Sequence, residues 1–154
     1  MALDIANAAL TALDPYPAAR KTISLQEKAL KVGGRLYGLD DDTRVFVIGA
    51  GKATFPIAKA LDETLGSRIH RGLVICKRGQ EGALQHIDRA WASHPIPDGS
   101  SLEAATLTKE LLADVRSGDL VFSCFTGGSS ALFVAPHESI TLDEKAHTNR
   151  VLLA

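Results

Sequence analysis

Apolar residues fall in two rhythms along the chain. Short unbroken apolar runs recur at Arg44-Val45-Phe46-Val47-Ile48, Gly72-Leu73-Val74-Ile75-Cys76 and Asp119-Leu120-Val121-Phe122-Ser123-Cys124-Phe125. Runs of this length without polar alternation predict strands covered on both faces, as in a parallel sheet. Arg89-Ala90-Trp91-Ala92-Ser93 predicts a weaker strand. Between these runs the period lengthens. Ile57, Ala58, Leu61 and Leu65 recur at helical spacing between Lys52 and Gly66. Leu107, Leu111 and Val115 share one face of a helix predicted to open at Ser100, where Ser100-x-x-Glu103 fits a capping box. A second such box, Thr141-Leu142-Asp143-Glu144, begins a helix carrying Val151-Leu152-Leu153. At the start of the chain, Ala2 to Leu13 predicts a helix, and Asp14-Pro15 marks the entry to another from Pro17 to about Leu36. Strands alternating with helices predict an α/β fold, three layers with helices on both faces of a mainly parallel sheet.

Composition places this pattern in one ordinary domain. The 154 residues are 45% hydrophobic and 23% charged, enough apolar content to bury a core against chain entropy. Seventeen Lys and Arg against eighteen Asp and Glu leave a net charge of −1, which argues against nucleic acid or an anionic membrane as partner. No apolar stretch approaches bilayer-spanning length, and Met1-Ala2-Leu3-Asp4 lacks the basic start of a signal peptide, so a cytoplasmic location is expected. Cys76 and Cys124 sit in apolar runs without CxxC spacing and are expected as buried thiols. His70, His86, His137 and His147 show no zinc-ligand spacing and are expected at the surface, with no metal ligand assigned. The last predicted helix reaches Ala154 without Gly, Asn or Pro to close it. Its apolar end predicts either a partner surface, in a further C-terminal portion of a longer protein or a second copy, or packing on the chain's own sheet.

Three segments carry candidate chemistry, each after a predicted strand, where open parallel sheets bind ligands. The first is Gly49-Ala50-Gly51-Lys52-Ala53. Its glycines permit a tight turn, the following helix offers N–H groups to an anion, and Lys52 opposes the helix dipole by about 0.3–1 kcal/mol unless an anion offsets it. A Walker A loop fails, because Phe46 stands at its first glycine and Ala53 follows the lysine. A dinucleotide fingerprint also fails, because Thr54 replaces its third glycine and Cys76-Lys77-Arg78 replaces its ribose-binding acid. The second segment is Ser93-His94-Pro95-Ile96-Pro97-Asp98-Gly99-Ser100, a stiff loop that fixes His94 and Asp98; Asp98 can cap the next helix or meet substrate. The third, Phe125-Thr126-Gly127-Gly128-Ser129-Ser130-Ala131-Leu132, suits an anion nest with Ser129 or Ser130 hydroxyls as donors. A GxSxG nucleophile elbow does not fit, since Ala131 and Leu132 follow the serines.

Leu13-Asp14-Pro15, Val47-Ile48-Gly49-Ala50-Gly51-Lys52-Ala53, His94-Pro95-Ile96-Pro97-Asp98, Gly127-Gly128-Ser129-Ser130-Ala131-Leu132 and Thr148-x-x-x-Leu152-Leu153, in this order, resemble the N-terminal portion of the glycerate 2-kinase family. Its members carry a MOFRL-type C-terminal region and are often called hydroxypyruvate reductases. The resemblance implies a Rossmann-like domain, and ATP-dependent phosphorylation of D-glycerate at its 2-hydroxyl with Mg²⁺. It implies Lys52 as the active-site lysine, holding the glycerate carboxylate or the transferring phosphoryl group. Gly49, Gly51, His94 and Asp98 are then expected around the substrate, and Gly127, Gly128, Ser129 and Ser130 around the nucleotide phosphates. Thr126 stands where the family usually has serine, and Ser129 where it usually has a third glycine. The later part of the family pattern, with its active-site arginine, is not in this sequence, so the chain by itself is expected to be incomplete as a kinase. The competing expectations are an NAD(P)H-dependent hydroxypyruvate reductase and a non-catalytic phosphate-binding α/β fragment.

Overall fold

The computed structural model describes residues 1–154. Helix α1 (Ala2–Ala12) forms as expected and buries none of its residues. Helix α2 (Pro15–Thr22) starts where Asp14 accepts from the Tyr16 backbone N–H, but ends far short of Leu36. A three-stranded antiparallel meander follows instead, with β1 (Ile23–Gln26), β2 (Ala29–Val32) and β3 (Arg35–Gly38). The reason is a period of two hidden among helix-forming residues. Ile23 pairs with Val32 and Leu25 with Leu30, and Gly33 at φ 61° turns the chain where a helix cannot continue. Leu30 is buried from this meander into the main core.

The central sheet is parallel, as the apolar runs predict, but the run from Asp119 to Phe125 lies at its edge and leaves Val121 and Phe125 exposed instead of being covered on both faces. Strands β4 (Val45–Ala50), β5 (Ile69–Lys77), β6 (Asp88–Ala92) and β7 (Leu120–Phe125) are parallel in the order β6-β5-β4-β7. All six residues of β4 are buried. Val45 and Val47 join Val74 and Cys76 against Ala58, Leu61 and Leu65 of α3 (Thr54–Leu65), with Ile23 and Leu30 of the meander completing that face. Phe46, Ile48 and Leu73 face the other way, onto Leu111 of α4 (Gly99–Leu112). Ala50, Ile75 and Ala92 meet Ala104 and Leu132, the latter from the short α5 (Ser129–Leu132). The result is three layers, and complete burial of side chains such as Phe46, Leu61 and Ile75 stabilises it by about 1.5–3 kcal/mol each. Helix α6 (Leu142–Leu153) opens with the predicted box, Thr141 accepting from the Glu144 N–H at 3.2 Å while Glu144 accepts from the Thr141 N–H at 2.7 Å.

Helix α4 decides between the two caps that the sequence offers. Asp98, not Ser100, is its N-cap: the carboxylate accepts from the Ser100 N–H at 2.9 Å, and Ser101 Oγ accepts from the Asp98 N–H at 3.3 Å. Ser101 is buried, so the hydroxyl at the third helical position is the one held in place, whereas Glu103 faces solvent. The buried face runs through Ala104, Thr108 and Leu111; Leu107 is 42% exposed, and Val115 lies beyond the helix end. Cys76 is buried, Cys124 is half-buried, and both are free thiols. The four histidines outside the candidate segments are at the surface. No helix is long and apolar enough to cross a membrane.

The opposite end of the sheet from the candidate loops is tied by charge. Arg44 grips Asp119 through Nε at 3.2 Å and Nη2 at 2.6 Å, and reaches the Asp114 carboxylate at 3.2 Å and its carbonyl at 2.6 Å. The start of β4 is thereby fastened to the start of β7. Hydrogen bonding from the Arg44 guanidinium holds the Asp119 carboxyl down at about 2. A carboxyl depressed in the folded state adds stability above its unfolded value and loses it as pH falls. The D119N variant is expected to lower the urea midpoint at neutral pH and to flatten the midpoint's decline between about pH 4 and pH 2, measured by circular dichroism. An unchanged acid limb in D119N contradicts this account.

Candidate active site

The loops that follow β4, β6 and β7 meet at the C-terminal ends of the strands. Gly49 and Gly51 allow the first and third to touch. A Cβ on Gly49 would lie 2.8 Å from Thr54 Cγ2 and 2.9 Å from Cys124 Cβ, and one on Gly51, already at φ 132°, would lie 2.7 Å from the Thr126 carbonyl oxygen. Their evident job is to bring backbone against backbone.

That contact consumes the amides the sequence reserves for an anion. The Lys52 N–H donates to the Gly127 carbonyl at 2.9 Å, the Ala53 N–H to Thr126 Oγ1 at 3.1 Å, the Thr54 N–H to the Gly51 carbonyl at 3.3 Å, and the Gly51 N–H to the Ile75 carbonyl at 3.4 Å. Thr54 Oγ1 donates to the Cys124 carbonyl at 2.9 Å and lies 3.2 Å from Thr126 Oγ1. Of the N–H groups expected to be free at this helix start, those of Lys52, Ala53 and Thr54 are therefore held by protein acceptors. The exposed Lys52 side chain is left as the cation of this segment.

Lys52 lines a cavity of about 280 Å³ with His94, Pro95, Gly128, Ser130 and Asn149 among its neighbours. Gly128, at φ 93°, packs directly on two of them: a Cβ there would lie 2.8 Å from His94 Nε2 and 3.4 Å from Lys52 Cγ. Leu152 and Leu153 of α6 form an apolar wall, and Asn149 Nδ2 donates to the Pro95 carbonyl at 3.4 Å. The structure thus gathers Lys52, His94, Gly128 and Ser130. Gly127 and Ser129 belong to the same loop but are bonded within the protein, the Gly127 carbonyl accepting from the Lys52 N–H of the neighbouring loop and the Ser129 N–H donating to the Thr126 carbonyl at 3.2 Å. Asp98 is turned away into the α4 cap, with Arg78 Nη2 at 3.5 Å from its other oxygen. The Ser100 hydroxyl, first, and Arg78 hold its carboxyl below the usual range. A second cavity of about 240 Å³ shares Lys52 and is lined otherwise by Lys77, Arg78, Gly79 and Gln80.

Partial burial, and then the charges of Lys52 and Lys77, press the His94 imidazole below its ordinary value. It is therefore neutral at pH 7, able to donate from one nitrogen and accept at the other. No group of three or more His, Cys, Asp or Glu side chains is arranged to hold a metal. An apolar cavity of about 220 Å³ between the meander and β7 has Ser123 as its one non-hydrophobic lining residue and lacks the convergent polar groups of a reaction site.

Sequence reasoning missed the part played by Thr126, visible only as a departure at one loop position, and by Asn149, which no local motif marks. It read Lys77-Arg78 only as a missing acid; the signal was there, as two cations directly after a buried strand.

The whole chain, residues 1–154, matches the family described as "Domain of unknown function (DUF4147)". It is 32% identical over 151 residues to the glycerate 2-kinase of Pyrococcus horikoshii, covering 98% of this chain and 33% of that protein. It is 39% identical over 111 residues to an Agrobacterium vitis protein with hydroxypyruvate reductase in its name, covering 72% and 29%. A crystal structure of a protein from Pyrococcus horikoshii OT3 superposes at a TM-score of 0.85 with 32% identity over 99% of this chain and 34% of that one. The crystal structure of a glycerate kinase from Thermotoga maritima does so at 0.65 with 33% identity, over 73% and 28%. The chain spans about a third of the length of the curated relatives it matches.

The shared field has a direct readout. Lys52→Met is expected to raise the His94 titration midpoint, followed by imidazole nitrogen NMR, because one of the two flanking charges is gone. A midpoint that stays in place means the two side chains do not share the cavity.

Proposed function

Because the chain belongs to the DUF4147 family, we propose that it forms the N-terminal part of a glycerate 2-kinase, transferring the terminal phosphoryl group of ATP to the 2-hydroxyl of D-glycerate. The observation that carries this reading is Lys52, a cation shared by two cavities at the strand ends. Phosphoryl transfer asks a protein for positioning and charge stabilisation more than for covalent chemistry. In this reading the 2-hydroxyl oxygen bonds to the terminal phosphorus and gives up its proton to solvent, the bond from that phosphorus to the bridging oxygen breaks, and ADP leaves. The ammonium of Lys52 is the group set against the charge on the transferring oxygens.

The Gly127-Gly128-Ser129-Ser130 loop would face the nucleotide phosphates, with the Ser130 hydroxyl on the cavity wall. Neutral His94 adds a hydrogen bond beside Lys52 without adding a second positive charge at that point. Gly49 and Gly51 act through Lys52, by holding the loop that presents it, and Asp98 acts through the stiffness of the His94 loop. The residues present do not form a carboxylate cage for Mg²⁺; the ion would arrive on the nucleotide, and no step here is routed through it. The remainder of such a protein, in the same polypeptide or a second copy, would close the site, and its action in the cytoplasm is part of the same reading.

The reductase reading has the name of the Agrobacterium vitis relative in its favour. Against it stand the amides of Gly51 to Thr54, which are already bonded within the protein and so are not offered to a dinucleotide pyrophosphate. Lys77 and Arg78 in place of an acid argue the same way. The third possibility, an α/β fragment that binds phosphates without turnover, is separated by the same assay.

In the full-length protein, Lys52→Ala is expected to cut kcat/KM for ADP release from ATP and D-glycerate by about 10²–10³-fold, with an unchanged urea midpoint because the side chain is exposed. NADH consumption with hydroxypyruvate, and no ADP from glycerate, would transfer the assignment to the reductase.

A further inference from the structure

We propose that the free edge of β7 is the seat of a fifth parallel strand, contributed by the part of a longer protein that lies outside these 154 residues. The inference rests on the proposed function in one respect, that the chain is the N-terminal part of such a protein; the place and direction of the strand stand on the sheet itself. The chain spans about a third of the length of the curated relatives it matches, and the other two-thirds are ample to supply that strand.

Strand β7 pairs with β4 alone. The Leu120 N–H donates to the Arg44 carbonyl and the Thr126 N–H to the Ala50 carbonyl, both at 2.9 Å, so the even-numbered residues of β7 turn their peptide groups toward β4. By the alternation of a strand, Val121, Ser123 and Phe125 turn theirs outward, to an edge without a strand partner. Leu120–Phe125 carries no charge and no proline to discourage pairing there, and keeps an unbroken register with β4. The opposite edge, β6, is guarded: it opens with Asp88 and Arg89, and the Arg89 guanidinium lies over the rings of Phe55 at 5.2 Å and Trp91 at 4.7 Å. Both faces beside the β7 edge are also unfinished. On the α4 face, Val121 and Phe125 stand in register with Phe46 and Ala50, yet each is 40% exposed. On the other face, the apolar cavity of about 220 Å³ lies between Leu120 and Phe122 of β7 and Leu30, Val32 and Tyr37 of the meander. A strand laid along β7 sends alternate side chains into that cavity and the others alongside Val121 and Phe125. Strand order selects the occupant. Taken in chain order, the four parallel strands lie as 3-2-1-4, the opening of the doubly wound order 3-2-1-4-5-6, in which the next strand sits beside the fourth. A right-handed crossover to that place runs over the α4 face, as the connection from β6 to β7 already does through α4, and its helix covers Val121 and Phe125. A second copy meets that need less well, because two β7 edges joined about a twofold axis pair antiparallel and lay two equally bare α4 faces side by side. In the parallel direction, the loop that follows the new strand emerges at the end of the sheet that carries Lys52.

The test is amide hydrogen exchange on the unmodified full-length protein, resolved by residue. The Val121, Ser123 and Phe125 amides are expected to be protected to within about 100-fold of the Phe122 and Cys124 amides, whose N–H groups face β4. Faster exchange than that leaves the edge open and overturns the proposal. Protection that falls on dilution, with a dimer seen by light scattering, assigns the edge to a second copy and overturns it as well. Val121→Asp is expected to lower the urea midpoint of the full-length protein, whereas Val121→Ile stays close to the unmodified value. A midpoint unmoved by V121D overturns the covering of the α4 face. Turnover separates this from the kinase reading: protected edge amides in a protein that forms no ADP from ATP and D-glycerate keep the strand and remove the kinase, and ADP formation with open edge amides does the reverse.

Discussion

The loops after β4 and β7 touch at backbone level, and the candidate site follows from that contact. Gly49 and Gly51 leave no Cβ between them and the chain at Cys124 and Thr126, so amides and hydroxyls of one loop bond directly to the other. Thr126 is the centre of this knot, accepting from the Ala53 N–H with one hydroxyl that also meets Thr54. Any side chain at Gly51 would need both a left-handed backbone and space that Thr126 already fills. Arg44 performs the corresponding task at the far end of the same two strands, by charge rather than by close approach.

The knot also decides the electrostatics. Helix N-termini ordinarily attract anions through unpaired N–H groups. Here the N–H groups of Lys52, Ala53 and Thr54 are spent on folding, and side chains carry positive charge, Lys52 in the middle with Lys77 and Arg78 to one side. His94, pressed toward neutrality by its burial and by those lysines, contributes hydrogen bonding where a further charge would be costly.

The likeness to the glycerate kinases of Pyrococcus horikoshii and Thermotoga maritima agrees with this picture at the level of fold and family, over about a third of their length. Several apolar surfaces remain uncovered: Val121 and Phe125 on the outer strand β7, the apolar residues of α1, and Leu152 and Leu153, the last two forming a wall of the Lys52 cavity. The Lys52 cavity is lined by the loops after β4, β6 and β7 and by α6.

Much of the molecule was legible in its sequence. Each apolar run became a parallel strand; Val45 to Ile48 is buried between two layers, whereas the run in β7 lies at the sheet edge with alternate residues exposed. The strand-to-glycine junctions marked the ends at which Lys52, His94 and Gly128 assemble. The meander was misread because Glu27, Lys28, Ala29 and Lys31 favour helix locally, while the pairing of Ile23 with Val32 and Leu25 with Leu30, made only across strands, outweighs that preference. The α4 cap shifted by two residues because burial of Ser101, a tertiary fact, selects the box. Local pattern therefore determined which segments are strands and helices, and where chemistry-bearing loops emerge. Whether an amide is free or taken, whether Asp98 faces a ligand or a helix end, and whether Lys77 and Lys52 share a cavity were decided by contacts between residues some tens of positions apart, which no periodicity along the chain encodes.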